Sequence, residues 1–294
     1  MASVATSAPT ALMRPLDDAE FDRWVRLLEA RTGVIVPPER KPFLETGLRR
    51  RMRETGHTRF DIYYDELVSG ARGAMEWASL VDHLTVHETH FFRHLPSIEL
   101  IRDEWLPQWL ETAAPDASLQ ALSLGCSTGE EAYSLALVLD AELSRATPPH
   151  RFGVTATDVS QAALTLARHA EYPMRRLSEI PAAYRNGVHA QPDGETFRID
   201  ERLRKRVGFA CVNLLHASRA PLRKLDIIYC QNVLIYFARE RRGQMLDALA
   251  GLLQPGGLLV LGSGEVSGWS HPDMRRTGSR QTLAYISDTK ETRA

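Results

Sequence analysis

Leu119–Glu131 reads LQALSLGCSTGEE, a short apolar run that ends in a loop of small residues and then opens into a helix. Leu122 and Leu124 alternate with small or polar neighbours, as residues of a half-buried strand do. Gly125 and Gly129 allow the backbone to turn sharply and to pass close to a bound molecule. A strand, a glycine-bearing loop and a helix in this order build a nucleotide-sized pocket at the carboxyl end of a strand in α/β domains.

The helix after this loop begins with two acidic residues. Glu130 and Glu131 place negative charge at the helix end that would otherwise attract a phosphate. A nucleoside that carries a cation or an amino group therefore suits the pocket better, and S-adenosylmethionine (AdoMet) is the obvious candidate. An ordinary tight turn between a strand and a helix is the alternative, because the motif by itself is weak.

The composition is that of a globular protein. Of 294 residues, 44% are hydrophobic and 25% are charged, which suits one large domain or a small domain joined to a medium one. The net charge of −1 provides no general attraction to nucleic acid or to anionic membranes. Cys126, Cys211 and Cys230 are scattered and form no CxxC pair, which favours reduced thiols in a cytoplasm. We therefore expect a cytoplasmic protein without membrane insertion or a nucleic-acid partner.

The chain has two halves with different hydrophobic patterns. Apolar residues recur at helical spacing over residues 16–90, as in Phe21, Trp24 and Leu28. From residue 119 strand-like and helical runs alternate, which predicts a parallel sheet with helices on both faces. The predicted strands span 119–124, 152–157, 207–212, 225–230 and 258–262, and the predicted helices lie near 130–145, 160–170 and 239–253.

Three further features complete the predicted organisation. The Pro-Gly-Gly run at 255–257 is expected to turn the last helix into its strand, and Leu283–Ile286 to add an antiparallel edge strand. Residues 171–206 lack helical periodicity and contain Pro192-Asp193-Gly194 between short alternating runs, which predicts a β-hairpin excursion. The expected divisions are a disordered tail at 1–15, a helical domain at 16–90, a linker and helix at 91–118, an α/β domain at 119–287 with a β-subdomain at about 171–206, and a tail at 288–294.

Polar side chains follow three predicted strands at the edge where open parallel sheets bind their ligands. Asp158 ends the second strand, where an acid accepts hydrogen bonds from ribose hydroxyls; a cap for the next helix is the alternative. Asn213 follows the third strand and is placed to contact an adenine edge. Gln231 and Asn232 follow the fourth strand, where a simple turn is the alternative.

Two charged patterns lie outside this edge. The histidines at 83, 87, 90 and 94 have a spacing that can bring imidazoles to one helical face, but no zinc motif is complete, so we expect no metal site. Residues 40–53 contain six cations and one acid. Arg49, Arg50 and Arg53 share a face of the predicted helix. A solvated face is the ordinary explanation, and steering of an acidic partner is the alternative that we favour.

Six segments share their order and spacing with one known family: TVHETHFFR (85–93), GCSTGEEAYSLA (125–136), TD (157–158), VNLL (212–215), CQNVLIYF (230–237) and LQPGGLLVLGSGE (253–265). Together they resemble the CheR-type methyltransferases, which use AdoMet to methylate glutamate side chains of bacterial chemoreceptors. The resemblance covers roughly residues 16–287 and is more specific than any single motif. It implies a Rossmann-like AdoMet-dependent methyltransferase sheet, an all-helical N-terminal domain and a small inserted β-subdomain.

The resemblance also implies the site residues and the partner. It places Arg93 and Tyr236 at the transferred methyl group as catalytic residues, with S-adenosylhomocysteine as a product. The partner would be the cytoplasmic domain of a methyl-accepting chemotaxis-type receptor, docked by Arg49, Arg50 and Arg53. The residues implied to bind AdoMet are His87, Thr89, Arg93, Gly125, Glu131, Asp158, Asn213, Leu214, Gln231 and Asn232.

The sequence departs from the family pattern at three places. His87 stands where the family usually has Asn, Gln231 where it usually has Arg, and Ser263-Gly264-Glu265 where it usually has His-Ser-Glu. Loss of the arginine removes a positive charge near the pocket. The alternatives to receptor methylation are therefore a divergent methyltransferase with another substrate and a non-catalytic AdoMet-binding signalling scaffold. The presence of Arg93 and Tyr236 favours an active enzyme.

Overall fold

The structure is a computed structural model that describes residues 13–219 and 222–288. The chain divides into two compact units, with the division between Thr85 and Val86, so that residues 86–90 belong to the second unit. Of the predicted tails, residues 1–12 and 289–294 lie outside the described residues. Within the described ranges, no helix has the length and the apolar composition that a membrane span requires.

The first unit consists of α-helices packed around one apolar core: α1 (Asp18–Thr32), α2 (Lys41–Thr55), α3 (Phe60–Leu67) and α4 (Gly70–Leu84). A capping box starts α1, since the Asp17 carboxylate accepts the Glu20 amide at 2.8 Å and the Glu20 carboxylate accepts the Asp17 amide at 3.2 Å. Gly33, with φ of 78°, ends the helix as a left-handed C-cap. The predicted stripe that includes Trp24 and Leu28 is buried.

The second unit is an α/β domain. Its strands are β1 (Ser118–Leu124), β2 (Arg151–Asp158), β3 (Glu171–Pro173), β4 (Val188–Ala190), β5 (Thr196–Ile199), β6 (Val207–Cys211), β7 (Leu225–Cys230), β8 (Leu253–Leu261), β9 (Met274–Thr277) and β10 (Leu283–Ser287). Its α-helices are α5 (Leu95–Glu99), α6 (Leu106–Thr112), α7 (Glu130–Leu143), α8 (Gln161–His169), α9 (Glu201–Arg204) and α10 (Arg239–Ala250). The predicted parallel sheet, the helical first unit and the small inserted β-subdomain are all confirmed.

Seven strands form the main sheet in the order β6-β2-β1-β7-β8-β10-β9, and β3, β5 and β4 form a separate antiparallel sheet. The strands from β6 to β8 in this order are parallel to their neighbours, whereas β10 is antiparallel to both β8 and β9. The strand order reverses between β1 and β7, because the chain passes from β1 to β2 and β6 before it returns to β7. Such a switch point opens a crevice at the carboxyl edge, flanked here by residues 125–129 and 231–237.

A long helical segment precedes β1 and is tied to the sheet by two tryptophans. It runs through α5, a π-helical stretch at Leu100–Trp105 and α6. Pro107 explains the wider turn, since proline lacks an amide hydrogen and its ring displaces the carbonyl of the preceding turn. Trp105 donates to the Gly256 carbonyl at 2.9 Å, and Trp109 donates to the buried Asp226 carboxylate at 2.7 Å.

The turn predicted at residues 255–257 is wrong in detail. β8 already begins at Leu253, which pairs with Leu225, and the pairing resumes between Leu258 and Ile227. The glycines therefore form a bulge within the strand, where Gly256 has a positive φ of 78°. A proline followed by two glycines predicts a change of direction, but it does not show which strand residues pair on either side.

The prediction of Leu283–Ile286 as an edge strand is half correct. β10 is antiparallel to β8 as predicted, but β9 pairs with its other side and forms the edge. The sequence of β9, Met-Arg-Arg-Thr, contains the exposed Arg275 and Arg276 and no apolar alternation. Its extended conformation depends on pairing with β10, which residue patterns alone do not reveal.

Candidate active site

The loop after β1 is hydrogen-bonded to the end of β2. The amides of Gly125 and Cys126 donate to the Thr157 carbonyl at 2.8 and 2.9 Å. The Ser127 amide donates to the Asp158 carboxylate at 2.8 Å. These three bonds fix the loop across the carboxyl ends of two neighbouring strands.

Only glycine fits at position 125. Its φ of 70° is unfavourable for other residues, and a Cβ atom there would lie 2.3 Å from Cγ2 of Val233. The loop after β1 therefore packs directly against the loop after β7. This contact closes one side of the switch point.

Asp158 is not the cap of the helix that follows it. Ser160 caps α8, since its hydroxyl accepts the Ala163 amide at 3.0 Å. The half-buried Asp158 carboxylate instead accepts the Ser127 and Ser160 amides, at 2.8 and 2.9 Å. Asp158 thus lies at the crevice with its orientation fixed by two backbone groups.

Carboxyl groups gather at this edge. Burial raises the pKa of Glu131 to about 8, against the effect of a hydrogen bond from the Ser123 hydroxyl at 2.7 Å. The charges of Glu265 and Asp158 raise that pKa further, whereas the charge of Arg93 lowers it. Arg93 is exposed and donates to the Glu88 carbonyl at 2.8 Å. Glu265, Asp158 and Arg93 therefore lie close enough to Glu131 for their charges to change its pKa.

Glu265 is the most buried of these carboxyl groups, with 1% of its surface exposed. Its Oε2 accepts the Gly262 amide at 2.8 Å, and burial raises the pKa of the side chain. The backbone amides of Asn232, Val233 and Ile235, in the segment after β7, lower that pKa and so favour the ionised form. Burial and mutual repulsion both disfavour the ionised forms of Glu131 and Glu265. A cationic ligand would remove this penalty, so the edge suits a sulfonium or an ammonium group.

Residues 87–92 lie over the glycine loop and the start of α7. The Ser127 hydroxyl donates to the His87 carbonyl at 3.3 Å, and the Phe92 amide donates to the Ser134 hydroxyl at 2.9 Å. Thr89 in the same segment is buried. These contacts bring the predicted His87, Thr89 and Arg93 to the same edge as the loop at 125–129.

Gln231 is buried and its side chain is fully engaged. Its Oε1 accepts the Tyr229 hydroxyl at 2.9 Å, and its Nε2 donates to the Ser97 hydroxyl at 2.9 Å and to the Leu261 carbonyl at 3.1 Å. Gln231 therefore joins β7 and β8 to α5, the helix that follows Arg93. Where the family usually has a charged arginine, this chain thus has a neutral side chain that connects structural elements.

Tyr236 lies in a 3₁₀ turn, Leu234–Tyr236, whose position depends on α10. Arg242 donates to the carbonyls of Ile235 and Phe237, on either side of Tyr236, at 3.2 and 2.9 Å. It also donates to the Glu265 carbonyl at 2.8 Å. Arg242 and Ser97 were not selected from the sequence, because their partners are distant along the chain and no local motif indicates them. Glu265 lies in a segment that resembles the family but was not selected as a site residue.

The remaining residues predicted to contact AdoMet follow the ends of β6 and β7. The Asn213 side-chain oxygen accepts the Leu215 amide at 2.9 Å and so caps a 3₁₀ turn, and Leu214 is half-buried. Asn232 adopts a left-handed conformation, with φ of 60°, at the first bend after β7. Each of these residues follows a strand on the same edge. Within residues 13–219 and 222–288, no cluster of three His, Cys, Asp or Glu side chains suits a metal ion.

The three arginines predicted for docking differ in their surroundings. Arg49 pairs with Glu45 and donates to the carbonyls of Met13 and Arg14 at 2.9 and 2.7 Å. Arg50 has 69% of its side chain exposed and lies 3.8 Å from Glu54, and Arg53 is exposed. Arg49 thus stabilises the first unit, whereas Arg50 and Arg53 present their charge to solvent.

The sheet order, the glycine loop and the acidic edge define a Rossmann-like, AdoMet-dependent methyltransferase domain. Residues 87–282 match the family model described as CheR methyltransferase, SAM binding domain, and residues 19–85 match the model of its all-alpha domain. The chain belongs to the CheR methyltransferase family. AdoMet is its cofactor, and the carboxyl-rich edge fits the positive charges of that molecule.

Curated relatives match most of the chain. It is 30% identical over 275 residues to a chemotaxis protein methyltransferase of Escherichia coli K12, with 92% of each chain covered. It is 26% identical over 248 residues to a chemotaxis protein methyltransferase of Borreliella burgdorferi, with 84% of this chain and 87% of the relative covered. A probable biofilm formation methyltransferase, WspC, of Pseudomonas putida is 32% identical over 90% of this chain and 61% of its own.

Binding of AdoMet at pH 7 is expected to release about one proton from Glu131. With a pKa of about 8, the carboxyl is mostly protonated at pH 7 in the free protein, and a bound cation nearby would lower that pKa and favour ionisation. The affinity should therefore rise as the pH approaches 8. Calorimetric titration in buffers of different ionisation enthalpy counts the released protons.

Glu131→Gln should release about one proton fewer than the wild type, and Glu142→Gln, a change near the other end of α7, should release as many as the wild type. Equal proton release by the wild type and by Glu131→Gln would assign the titration to another group.

Proposed function

We propose that this chain transfers a methyl group from AdoMet to glutamate side-chain carboxylates of methyl-accepting chemotaxis-type receptors. The product would be a glutamate methyl ester that serves sensory adaptation. Two relatives named chemotaxis protein methyltransferase match both units of the chain, which supports this substrate. The observation that carries the proposal is Arg93: an exposed guanidinium beside an acidic cofactor edge is suited to receive a second, carboxylate-bearing molecule.

The residues at the edge have distinct proposed roles toward the cofactor. Asp158 would accept the ribose hydroxyls, and Asn213 and Leu214 would contact the adenine. Glu131 and Asn232 would face the methionine end, with Gln231 holding the surrounding segments in place. The backbone of Gly125 and the residues His87 and Thr89 would line the same edge. Bound AdoMet supplies a methyl carbon made electrophilic by the sulfonium.

The protein's task toward the acceptor is orientation. A glutamate side chain is already ionised at neutral pH, so no strong general base is required. Arg93 would hold the carboxylate by charge-assisted hydrogen bonds, and the Tyr236 hydroxyl would donate a further one. Together they would displace water and direct one oxygen toward the methyl carbon, which is catalysis by proximity and orientation.

The receptor partner and the location follow from this substrate. Methylated glutamates lie in the cytoplasmic domain of such receptors, so the protein would act in the cytoplasm. The exposed Arg50 and Arg53 on α2 would attract an acidic helical segment of the receptor. Arg49 would serve this surface indirectly, because it fixes residues 13 and 14 against α2.

Removal of either catalytic group should lower receptor methylation about 100-fold or more, as loss of a group that orients or stabilises a reacting oxygen does. Arg93→Ala and Tyr236→Phe are compared with the wild type for transfer of labelled methyl from AdoMet to a receptor cytoplasmic fragment. Esters are identified by their lability to alkali. Arg151→Ala is the matched control, since Arg151 begins β2 at the opposite edge of the sheet.

Near-normal rates in both variants would remove Arg93 and Tyr236 from the mechanism. AdoMet binding by the wild type without any ester product on receptor fragments would instead support the alternative of another substrate or of a binding scaffold.

Reversal of charge at Arg50 and Arg53 together should raise the KM for the receptor fragment several-fold and leave kcat nearly unchanged. Attraction between the two surfaces is lost while the chemistry is not altered, and the wild-type KM should likewise rise with added salt. Arg26→Glu with Arg72→Glu is the control, since it makes the same charge change at exposed positions on α1 and α4. Equal KM values for the two double variants would reject a specific docking face.

A further inference from the structure

The inserted β-subdomain reaches the cofactor edge through a short 3₁₀ helix, Met174–Glu179, between β3 and β4. Arg176 in this helix donates to the Thr89 carbonyl at 3.0 Å and forms an ion pair with Glu130. Glu130 is 2% exposed and also accepts the Thr128 hydroxyl at 2.6 Å. One guanidinium thus joins the subdomain, the start of α7 and the backbone of a proposed cofactor-binding residue.

Glu179, at the other end of this short helix, contacts the two residues that follow Thr89. The Glu179 Oε2 accepts the Phe91 amide at 3.0 Å, and its Oε1 lies 3.4 Å from Nδ1 of His90. The backbone from Thr89 to Phe91 is therefore bonded at both ends to one element of the subdomain. We call Arg176 and Glu179 the clamp.

Aromatic packing extends the same contact. The Phe91 ring meets Tyr172 edge-on, with centroids 4.8 Å apart, and lies 5.8 Å from Phe197. The Phe92 ring stacks on Tyr184 at 5.3 Å. Buried rings of this kind have few alternative positions, because protein interiors are closely packed. Arg93 follows Phe92 directly, so contacts with the subdomain fix the position of its backbone.

We propose that Arg176 and Glu179 are positioning residues through which the β-subdomain sets the placement of Thr89 and Arg93, and with it the affinity of the edge for the cofactor. The inference rests on the proposed roles of Thr89 and Arg93 in that site. Thermodynamic coupling is reciprocal. If the ordered subdomain strengthens cofactor binding by some factor, cofactor binding must favour the ordered subdomain by the same factor.

The test is replacement of Arg176 by methionine, with the neighbouring exposed Arg175→Met as the matched control. S-adenosylhomocysteine is the probe, titrated by calorimetry. Arg176→Met should raise its Kd about ten-fold, the loss expected when a hydrogen bond to a charged group is removed. In the ligand-free variant, the amides of residues 89–92 should exchange with deuterium faster than in the wild type. Arg175→Met should match the wild type in both measurements.

A second variant separates positioning from stability. Arg176→Met alone leaves the buried Glu130 carboxyl without its cation, which is destabilising. Adding Glu130→Gln removes that charge and should restore the melting temperature, while the Kd stays about ten-fold raised because Thr89 still lacks its partner. Recovery of wild-type affinity in the double variant, or an unchanged Kd in Arg176→Met, would overturn the proposal.

Reciprocity provides an independent reading in the wild type. Saturation with S-adenosylhomocysteine should slow amide exchange in residues 171–199, and this protection should shrink in Arg176→Met. Equal exchange with and without the probe would also reject the coupling. A wild-type protein that fails to methylate receptor fragments, yet shows the ten-fold difference in Kd, would contradict the proposed substrate and support the clamp.

Discussion

Three hydrogen bonds that backbone amides of the loop after β1 donate to the end of β2 determine the rest of the site. They direct the amides of Gly125, Cys126 and Ser127 toward Thr157 and Asp158, and so hold the loop across the switch point of the sheet. The carboxyl ends of parallel strands meet at one edge, and a crevice opens there where the strand order reverses. Here the loop after β1 is held toward β2, and Val233 of the loop after β7 packs against Gly125 and closes one side of the crevice.

The same edge concentrates carboxyl groups at a cost in stability. Burial raises the pKa of both Glu131 and Glu265, and the charge of Glu265 raises the pKa of Glu131 further. Hydrophobic residues at these positions would stabilise the fold better, and functional sites often retain residues that reduce stability in this way. The arrangement is explained by a ligand with positive charge, and Arg93 beside it provides the opposite charge for an anionic acceptor. Cofactor and acceptor are thus distinguished by electrostatics within one small region.

The sequence predicted the features that depend on local pattern. Helical periodicity identified α1 with Trp24 and Leu28 in its core face, and alternation of strands and helices identified the parallel sheet. Polar residues after strands, such as Asp158 and Gln231, were found because parallel strands bring their ends together. The family resemblance added Arg93 and Tyr236, which no local pattern selects.

Features that depend on distant partners were not predictable in this way. β9 lacks an apolar pattern and is extended because it pairs with β10. Arg176 and Arg242 are surface-like residues in sequence, yet each bonds to carbonyl groups that flank or belong to the site. Gln231 is the opposite case. In the sequence, glutamine in place of the family arginine suggests a weakened pocket, whereas its contacts with Tyr229, Ser97 and Leu261 show a buried link between elements.

A crystal structure with S-adenosylhomocysteine tests most directly whether the carboxyl edge beside Arg93 binds the cofactor. We expect ribose hydroxyls on the Asp158 carboxylate, the amino group toward Glu131, and the sulfur on the side of Arg93 and Tyr236. Density for the ligand at another surface, or an edge filled by the protein's own side chains with no room for it, would exclude cofactor binding at this edge.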